Sequence, residues 1–450
     1  MTIDADRPAD WNHLVRHTFI DFTQTTEFLK QPVIISKADR ITYTDVHGTE
    51  YLDGLSGVYA VSLGHNHPRL NQAVTRQLER VTLAPPMHGI ADVSLQLVQA
   101  LGHVSPPGMT FVKSFSGGSE ANEAAFKFAR QYHRLTGNPG KYKILSCYDS
   151  YHGATAGAMA ASGTGSRKTA FEPQMGGFLK FLPPAYLTQA AGSPEAATNL
   201  ALHLLERQIE GEDASTIAAL IIEPVIHLAG IAVPPTGWLE GVLDLCRTHE
   251  ILLIYDEIIT GIGRTGHMFG AQTFGVAPDI LTCGKGLSSG VLPVSAMVTR
   301  PDLAEAFVGA ESDQRHFNHG HTFASNALTS AVGVEVLAIM EEQDVCANSQ
   351  AQGRLAKETL NKWQTELPIA NVRGEGLLVG FDLVSEPGSP DVNPGLGPVL
   401  RRKAIDHGLI MRVQPTWGAL APPLVCTEQE TWQILERFRE AILDAWDAAA

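Results

Sequence analysis

The stretch Ile251-Leu252-Leu253-Ile254-Tyr255-Asp256-Glu257 is apolar at its first five positions and then carries two carboxylates. A run that is apolar on both faces reads as a strand covered on both sides, the signature of a parallel sheet. Working outward, similar short runs stand at Thr110–Phe115, Lys143–Cys147, Ile217–Ile222, Ile280–Cys283 and Val294–Thr299, with helical stretches between several of them. The alternation predicts an α/β lobe built on a largely parallel sheet flanked by helices. Upstream, Arg40–Gly54 alternates around His47-Gly48 and predicts a hairpin. Downstream, a helical pattern over Asn326–Glu342 and a mixed segment from Val372 predict a smaller C-terminal lobe, with Ser385–Pro398 as a loop inside it. A chain of 450 residues exceeds one compact core, so two lobes are expected.

Charge narrows the partners. The net charge is -15, from 33 basic and 48 acidic residues, and no basic block offsets it, which argues against nucleic acid and anionic membrane. Met1–Trp11 is polar, without the apolar core of a leader, and no apolar run is long enough to span a bilayer, so the expected location is the cytoplasm. Five scattered cysteines without CxxC spacing are expected as reduced thiols. His316, His319 and His321 cluster in sequence, but no carboxylate or cysteine pattern accompanies them, and no metal site is expected.

Ligands in open α/β sheets bind beyond the carboxyl ends of the strands, so the residues that follow each run carry the chemistry. After Thr110–Phe115 comes Ser116-Gly117-Gly118-Ser119-Glu120 and then a helical spacing at Ala121, Ala125, Phe128 and Tyr132. Free amides at such a helix start bind an anion such as phosphate, and the Ser119 hydroxyl adds a donor; an ordinary tight turn with a serine cap is the competing reading. Asp256 ends the opening strand, where a carboxylate can pair with a protonated ring nitrogen. Glu257 is expected in a structural ion pair, and Ile258 against one face of a flat ring. Tyr151-His152-Gly153 follows the strand ending at Cys147 and can supply an aromatic for the other face. Lys285 sits between Gly284 and Gly286 at a strand end, a setting that suits an amine with reach and clearance for a carbonyl carbon. Released, the same amine can carry a proton as general acid or base.

In this order, these residues resemble the class III pyridoxal-phosphate aminotransferases of fold type I. The resemblance runs from about Asp45 to the C-terminal helix. It implies a large domain with a mostly parallel seven-stranded sheet flanked by helices, plus a smaller α+β C-terminal domain joined by the N-terminal segment, with divisions at 1–58, 59–325 and 326–450. It implies pyridoxal 5'-phosphate as cofactor, with Lys285 and Asp256 catalytic and with Gly117, Gly118, Ser119, Tyr151, His152, Glu223, Ile258 and Thr322 joining them in holding it. Thr322, in His319-Gly320-His321-Thr322-Phe323, matches a motif supplied by the neighbouring subunit, so a homodimer with shared active sites is implied and a tetramer of such dimers stays open.

Within the class the likeness is to omega-amino acid or amine:pyruvate transaminases, which implies a ping-pong transfer, through the Lys285 aldimine, from an amine or omega-amino acid to a 2-oxo acid, pyruvate first. Ornithine-type members carry an arginine where this chain has Ala419. Amine:pyruvate members carry one at the position of Arg412, on a mobile loop, where a guanidinium grips a substrate carboxylate through two hydrogen bonds. Tyr59, Leu228 and Trp417 complete the expected substrate set. After Glu223-Pro224 the family often reads Gln-Gly, whereas this chain has Ile226-His227-Leu228, a changed wall in which His227 is expected as a loop histidine. Arg373 is expected to be structural. The alternative is a same-fold enzyme with another outcome, a 2-oxoglutarate-dependent aminotransferase, decarboxylase, racemase or aminomutase. The remote alternative is an NAD(P)-dependent oxidoreductase, from the fingerprint-like Gly261-Ile262-Gly263-Arg264-Thr265-Gly266.

Overall fold

The computed structural model describes residues 10–449; residues 1–9 of the expected N-terminal segment lie outside the described residues. In chain order the strands are β1 (Ile35–Asp39), β2 (Thr42–Asp45), β3 (Glu50–Asp53), β4 (Phe111–Phe115), β5 (Lys143–Cys147), β6 (Phe178–Phe181), β7 (Ile217–Ile222), β8 (Leu252–Glu257), β9 (Ile280–Cys283), β10 (Ser295–Thr299), β11 (Ile369–Glu375), β12 (Leu378–Leu383), β13 (Leu409–Ile410), β14 (Arg412–Val413) and β15 (Trp417–Leu420). The central sheet has seven strands in the order β4-β10-β9-β8-β7-β5-β6. Strands β6, β5, β7, β8 and β9 pair in parallel, and β10 runs antiparallel to both β9 and β4. The sheet is thus mostly parallel, with one reversed strand.

The two-faced apolar runs do what their pattern demands. Along β8, Leu253 and Tyr255 enter one core while Leu252 and Ile254 enter the other. Helices Asp92–Val104, Pro194–Gly211 and Trp238–Thr248 cover the first face, and helix Gly118–Leu135 covers the second with Ala121, Ala125 and Phe128. Strand β6 is a four-residue edge strand, mostly half-buried, whose short apolar pattern is broken by Lys180, so the sequence does not mark it as clearly as the inner strands.

A third core gathers β11, β12, the helices Leu396–Asp406 and Glu428–Ala449, and Ile41 and Leu52 from the N-terminal hairpin. Parallel pairing of β13 with β3 adds the N-terminal hairpin to this C-terminal region. The helix Ala327–Glu342, which the sequence reading grouped with the C-terminal lobe, buries Val332, Val336, Leu337, Ile339 and Met340 in the core of the central sheet.

Gly261–Gly266 forms a packed turn between these bodies. A side chain at Gly263 would strike Met340 Cε, and one at Gly266 would strike Gln350 Cγ at 2.5 Å, so these glycines clear the way for neighbouring helices. Arg264 is fully buried at the centre of the turn. It donates to the carbonyls of Leu377 (2.9 Å) and Pro422 (2.7 Å) and to Ser56 Oγ (2.9 Å), joining three distant segments. Burial pulls the guanidinium down to about 10. Replacing it by leucine would leave buried acceptors without donors, at about 1–3 kcal/mol for an unsatisfied group. Arg264→Leu is therefore expected to lower the urea midpoint markedly, and an unchanged midpoint would contradict this account.

Candidate active site

A cavity of about 360 Å³ opens at the carboxyl ends of the central strands, within the size range of small-molecule sites. Gly117, Gly118, Ser119, Tyr151, His152, Glu223, Asp256, Ile258 and Lys285 all line it. Tyr59, Leu228, Thr322, Arg412 and Trp417 do not.

One end of the cavity is built for an anion. Helix Gly118–Leu135 begins there, and its first amides have no partner within the helix. Glu120 folds back to accept from the amides of Ser116 (2.9 Å) and Gly117 (3.1 Å), which shapes the loop and leaves Gly118 and Ser119 at the helix mouth. Ser119 Oγ accepts from the Ala154 amide at 3.1 Å, tying this loop to the one after β5. That approach needs Gly153, whose φ is +139° and where a side chain would collide with Ser119 Oγ.

The other end holds a buried carboxylate. Asp256 Oδ2 accepts from Asn122 Nδ2 and from His152 Nδ1, each at 2.8 Å, and Oδ1 accepts from the Ile258 amide at 3.1 Å. Asn122 is itself fixed, donating to the His152 carbonyl (2.7 Å) and accepting from Thr282 Oγ1 (2.7 Å). His152 Nε2 is buried without a partner. Asn122 was missed from sequence; its signal was an amide on the apolar face of a helix, between Ala121 and Ala124. Glu257 differs from expectation. Instead of an ion pair it accepts from the amides of Gly270 (2.6 Å) and Ala271 (2.7 Å) and from Thr260 Oγ1 (2.6 Å), and burial pushes its carboxyl up to about 7.

Lys285 stands beside these groups with φ of +42°, a left-handed conformation that costs a non-glycine residue free energy and is held by its surroundings. Burial pushes its amine below the ordinary lysine range, Asp256 and Glu223 pull it back up, and Arg412 pushes it down. Tyr151 and Ile258 both face the cavity, and Ile258 fills the space over Gly118, where a side chain would meet it at 3.0 Å. An anion mouth, a buried carboxylate acceptor, an amine and two apolar walls fit a flat ring bearing a phosphate, a protonated ring nitrogen and a carbonyl.

Glu223 closes a further wall. Its Oε1 accepts from the Tyr151 amide at 2.8 Å, and its Oε2 accepts from His227 Nδ1 at 2.7 Å. Tyr59 is buried next to this wall with its hydroxyl unpartnered, and burial raises that hydroxyl to about 12 against the pull of Arg412. Arg412 lies on the two-residue strand β14 rather than on a loop, half-buried, with its Nε unpartnered. It pairs in register with Ala419 on β15. Leu228 is half-buried, Trp417 packs over Gly230 in a core with Tyr59, and Thr322 is exposed next to His321, whose Nε2 is 3.4 Å from Glu120. Arg373 is structural, bonded to the Gly230 carbonyl at 2.7 Å and to Asp382 at 2.8 Å.

Residues 24–442 match the family described as aminotransferase class-III. The chain is 38% identical over 356 residues to the aminotransferase YhxA of Bacillus subtilis (strain 168), covering 79% of this chain and 77% of that protein. It superposes on the (S)-enantioselective omega-transaminase from Thermomicrobium roseum with a TM-score of 0.91 at 32% identity, covering 96% of this chain and 97% of that one. The omega transaminase from Pseudomonas jessenii in complex with PMP superposes with a TM-score of 0.93 at 30% identity, over 98% and 99% of the two chains.

The Asn122 bridge can be tested on the folded chain. Asn122→Ala removes two buried donated bonds and is expected to cost about 1–3 kcal/mol, read as a lower urea midpoint. Asn122→Asp is expected to cost more, because two almost wholly buried carboxylates then meet.

Proposed function

This chain belongs to the class-III aminotransferases, enzymes that move amino groups with pyridoxal 5'-phosphate, and on that premise we propose that it takes the amino group from an amine or omega-amino acid and delivers it to pyruvate. The observation that carries the acceptor half is Arg412. Among the described residues it forms no salt bridge, and its half-buried guanidinium keeps an unpartnered Nε, which leaves it free for an incoming carboxylate. Arg412 also stands directly across the strand pair from Ala419, the position where ornithine-type members have their arginine. Cross-strand neighbours have Cβ atoms roughly 4.5–5.5 Å apart, so a guanidinium from either position serves the same side of the pocket. We assign the carboxylate grip to Arg412, with Tyr59, Leu228 and Trp417 as the surrounding wall.

The cofactor, when bound, supplies a carbonyl carbon for the amino group and an electron-withdrawing ring. The residues do the rest. Free amides at Gly118 and Ser119, with Gly117 giving the loop its open face, hold the phosphate. Asp256, fixed in place by its three donors, holds the proton on the ring nitrogen. Tyr151 and Ile258 clamp the ring, and His152 and Glu223 brace that clamp. Lys285 Nζ would take the proton from the substrate Cα and pass it to the former carbonyl carbon of the bound cofactor, a task favoured by an amine that burial has made easier to deprotonate. Thr322 is assigned to the phosphate of a second protomer in a homodimer. Its segment is exposed with Phe323, and Met87, on the loop before helix Asp92–Val104, is 98% exposed, both suited to cover by a second copy. Among the described residues no helix is long and apolar enough to cross a membrane, and we place the protein in the cytoplasm.

Two experiments test the reading. Incubation with a panel of amines is expected to yield alanine from pyruvate; glutamate from 2-oxoglutarate alone would move the acceptor, and neither product with any donor would sink the transfer. Lys285→Ala is expected to lose roughly 10²–10⁴-fold in turnover, while keeping cofactor bound through the phosphate mouth and Asp256. Wild-type turnover in that variant would refute the assignment. With the amine shifted down, labelling of Lys285 by a small aldehyde plus reductant in cofactor-free protein should reach half its maximum rate below pH 10.5, the ordinary lysine value.

A further inference from the structure

Lys285 belongs to a strained turn. Across residues 285–290 three positions take left-handed backbone, Lys285 at φ of +42°, Ser289 at +50° and Gly290 at +76°, and only the last is a glycine. Such backbone costs free energy in a residue with a Cβ and persists where the surroundings over-determine it. Inside the turn the Leu287 amide donates to the Gly284 carbonyl (2.9 Å) and the Ser289 amide to the Gly286 carbonyl (3.0 Å). These are the bonds of any 3-10 turn and bring in no outside support.

The outside support comes from Val61-Ser62-Leu63, far away in the chain. Ser62 Oγ donates to the Gly286 carbonyl at 2.9 Å, and the Leu63 amide donates to Ser289 Oγ at 2.9 Å. Both serines are almost wholly buried, so a lost bond leaves a buried polar group unsatisfied. Shape adds to this, since a side chain at Gly290 would strike Val61 Cγ2 at 2.9 Å and its absence lets the turn close on the segment. The clamp is itself anchored: the Ser62 carbonyl accepts from the Leu424 amide at 2.8 Å, and Leu63 and Leu287 share the core of the central sheet. Lys285, Ser288 and Gly290 line the cavity, whereas Ser62 and Ser289 do not.

We propose that Ser62 and Ser289 are positioning residues: by fastening the turn to residues 61–63 they hold the left-handed backbone at Lys285 and so set where its Nζ stands in the cavity. The inference rests on the assignment of Lys285 as the amine that carries the proton. Each serine acts through the backbone of the lysine, so its loss falls on the rate of proton transfer and leaves the binding of the donor nearly as it was.

The test uses the cofactor-loaded enzyme with 1-phenylethylamine as donor and follows the conversion of the cofactor's absorption band. Ser62→Ala is expected to slow that conversion about 10- to 100-fold, the upper value being what a misplacement of about 1 Å can cost, with the half-saturating amine concentration changed less than about twofold. Ser289→Gly removes the other hydroxyl at a φ that glycine accepts; it is expected to act in the same direction and carries the same arm should the alanine variant fail to fold. Lys285→Ala supplied with free ethylamine takes the tether out of the reaction, because a loose amine then moves the proton. Adding Ser62→Ala in that background is expected to change the rescued rate less than about twofold. A drop there as large as in the intact enzyme means that the serine supports the whole site and overturns the proposal, as does full speed in both single serine variants. A readout apart from activity is hydrogen exchange of the loaded protein: in Ser62→Ala the amides at 286–291 are expected to exchange about fivefold faster or more, with helix Gly118–Leu135 unchanged. An unchanged turn would refute the clamp. Lys285→Ala without added amine separates the two readings: wild-type speed there fails the Lys285 assignment, whereas loss there with no effect at the serines overturns the present inference alone.

Discussion

Asp256 is an almost wholly buried carboxylate, and such a group is costly unless it is fully hydrogen-bonded. Its three donors come from three elements: Asn122 from the helix that follows β4, His152 from the loop after β5, and the Ile258 amide from its own strand end. The site therefore exists only when these elements meet in one register. The same helix that supplies Asn122 presents Gly118 and Ser119 at its start, three to four residues earlier, so a rise of about 1.5 Å per residue fixes the spacing between the anion mouth and the carboxylate. One helix thus sets the separation between the two ends of the cavity.

Around that axis, the remaining polar groups divide into those that hold the scaffold and those that face the ligand. Glu257 and Arg264 are buried, ionisable and adjacent to the cavity in sequence, yet both are engaged mainly by backbone groups, Glu257 by a helix start and Arg264 by two carbonyls together with Ser56. Glu223 stands between the two classes. It lines the cavity but is tied to Tyr151 and His227, while Arg412 and Tyr59, outside the cavity lining, keep unpartnered buried polar atoms.

Much of this was legible in the chain. The runs at Lys143–Cys147, Ile217–Ile222 and Ile280–Cys283 coincide with β5, β7 and β9, because strands buried on both faces leave a mainly apolar record. Helix Ala327–Glu342 begins one residue inside its expected start, with Asn326 as cap, accepting from the amides of Leu328 and Thr329. Strand β6 left a shorter record broken by Lys180, since an edge strand is only partly buried. The reversal of β10 was illegible for another reason: an apolar strand looks the same read in either direction relative to its neighbours.

By itself, the sequence determined the class of chemistry, because a lysine between glycines, a carboxylate at a strand end and a glycine loop at a helix start are local signals carried by a few adjacent residues. Only the tertiary structure decided which groups meet. Asn122 and Asp256 are 134 positions apart, Arg264 bonds across 208 positions to Ser56, and Arg412 comes to face Ala419 through a strand pairing. His227 looked like a loop histidine until folding set it on Glu223. The physical reason is that hydrogen bonds and charge pairing act through space over a few ångströms, and distance along the chain does not report distance in the fold.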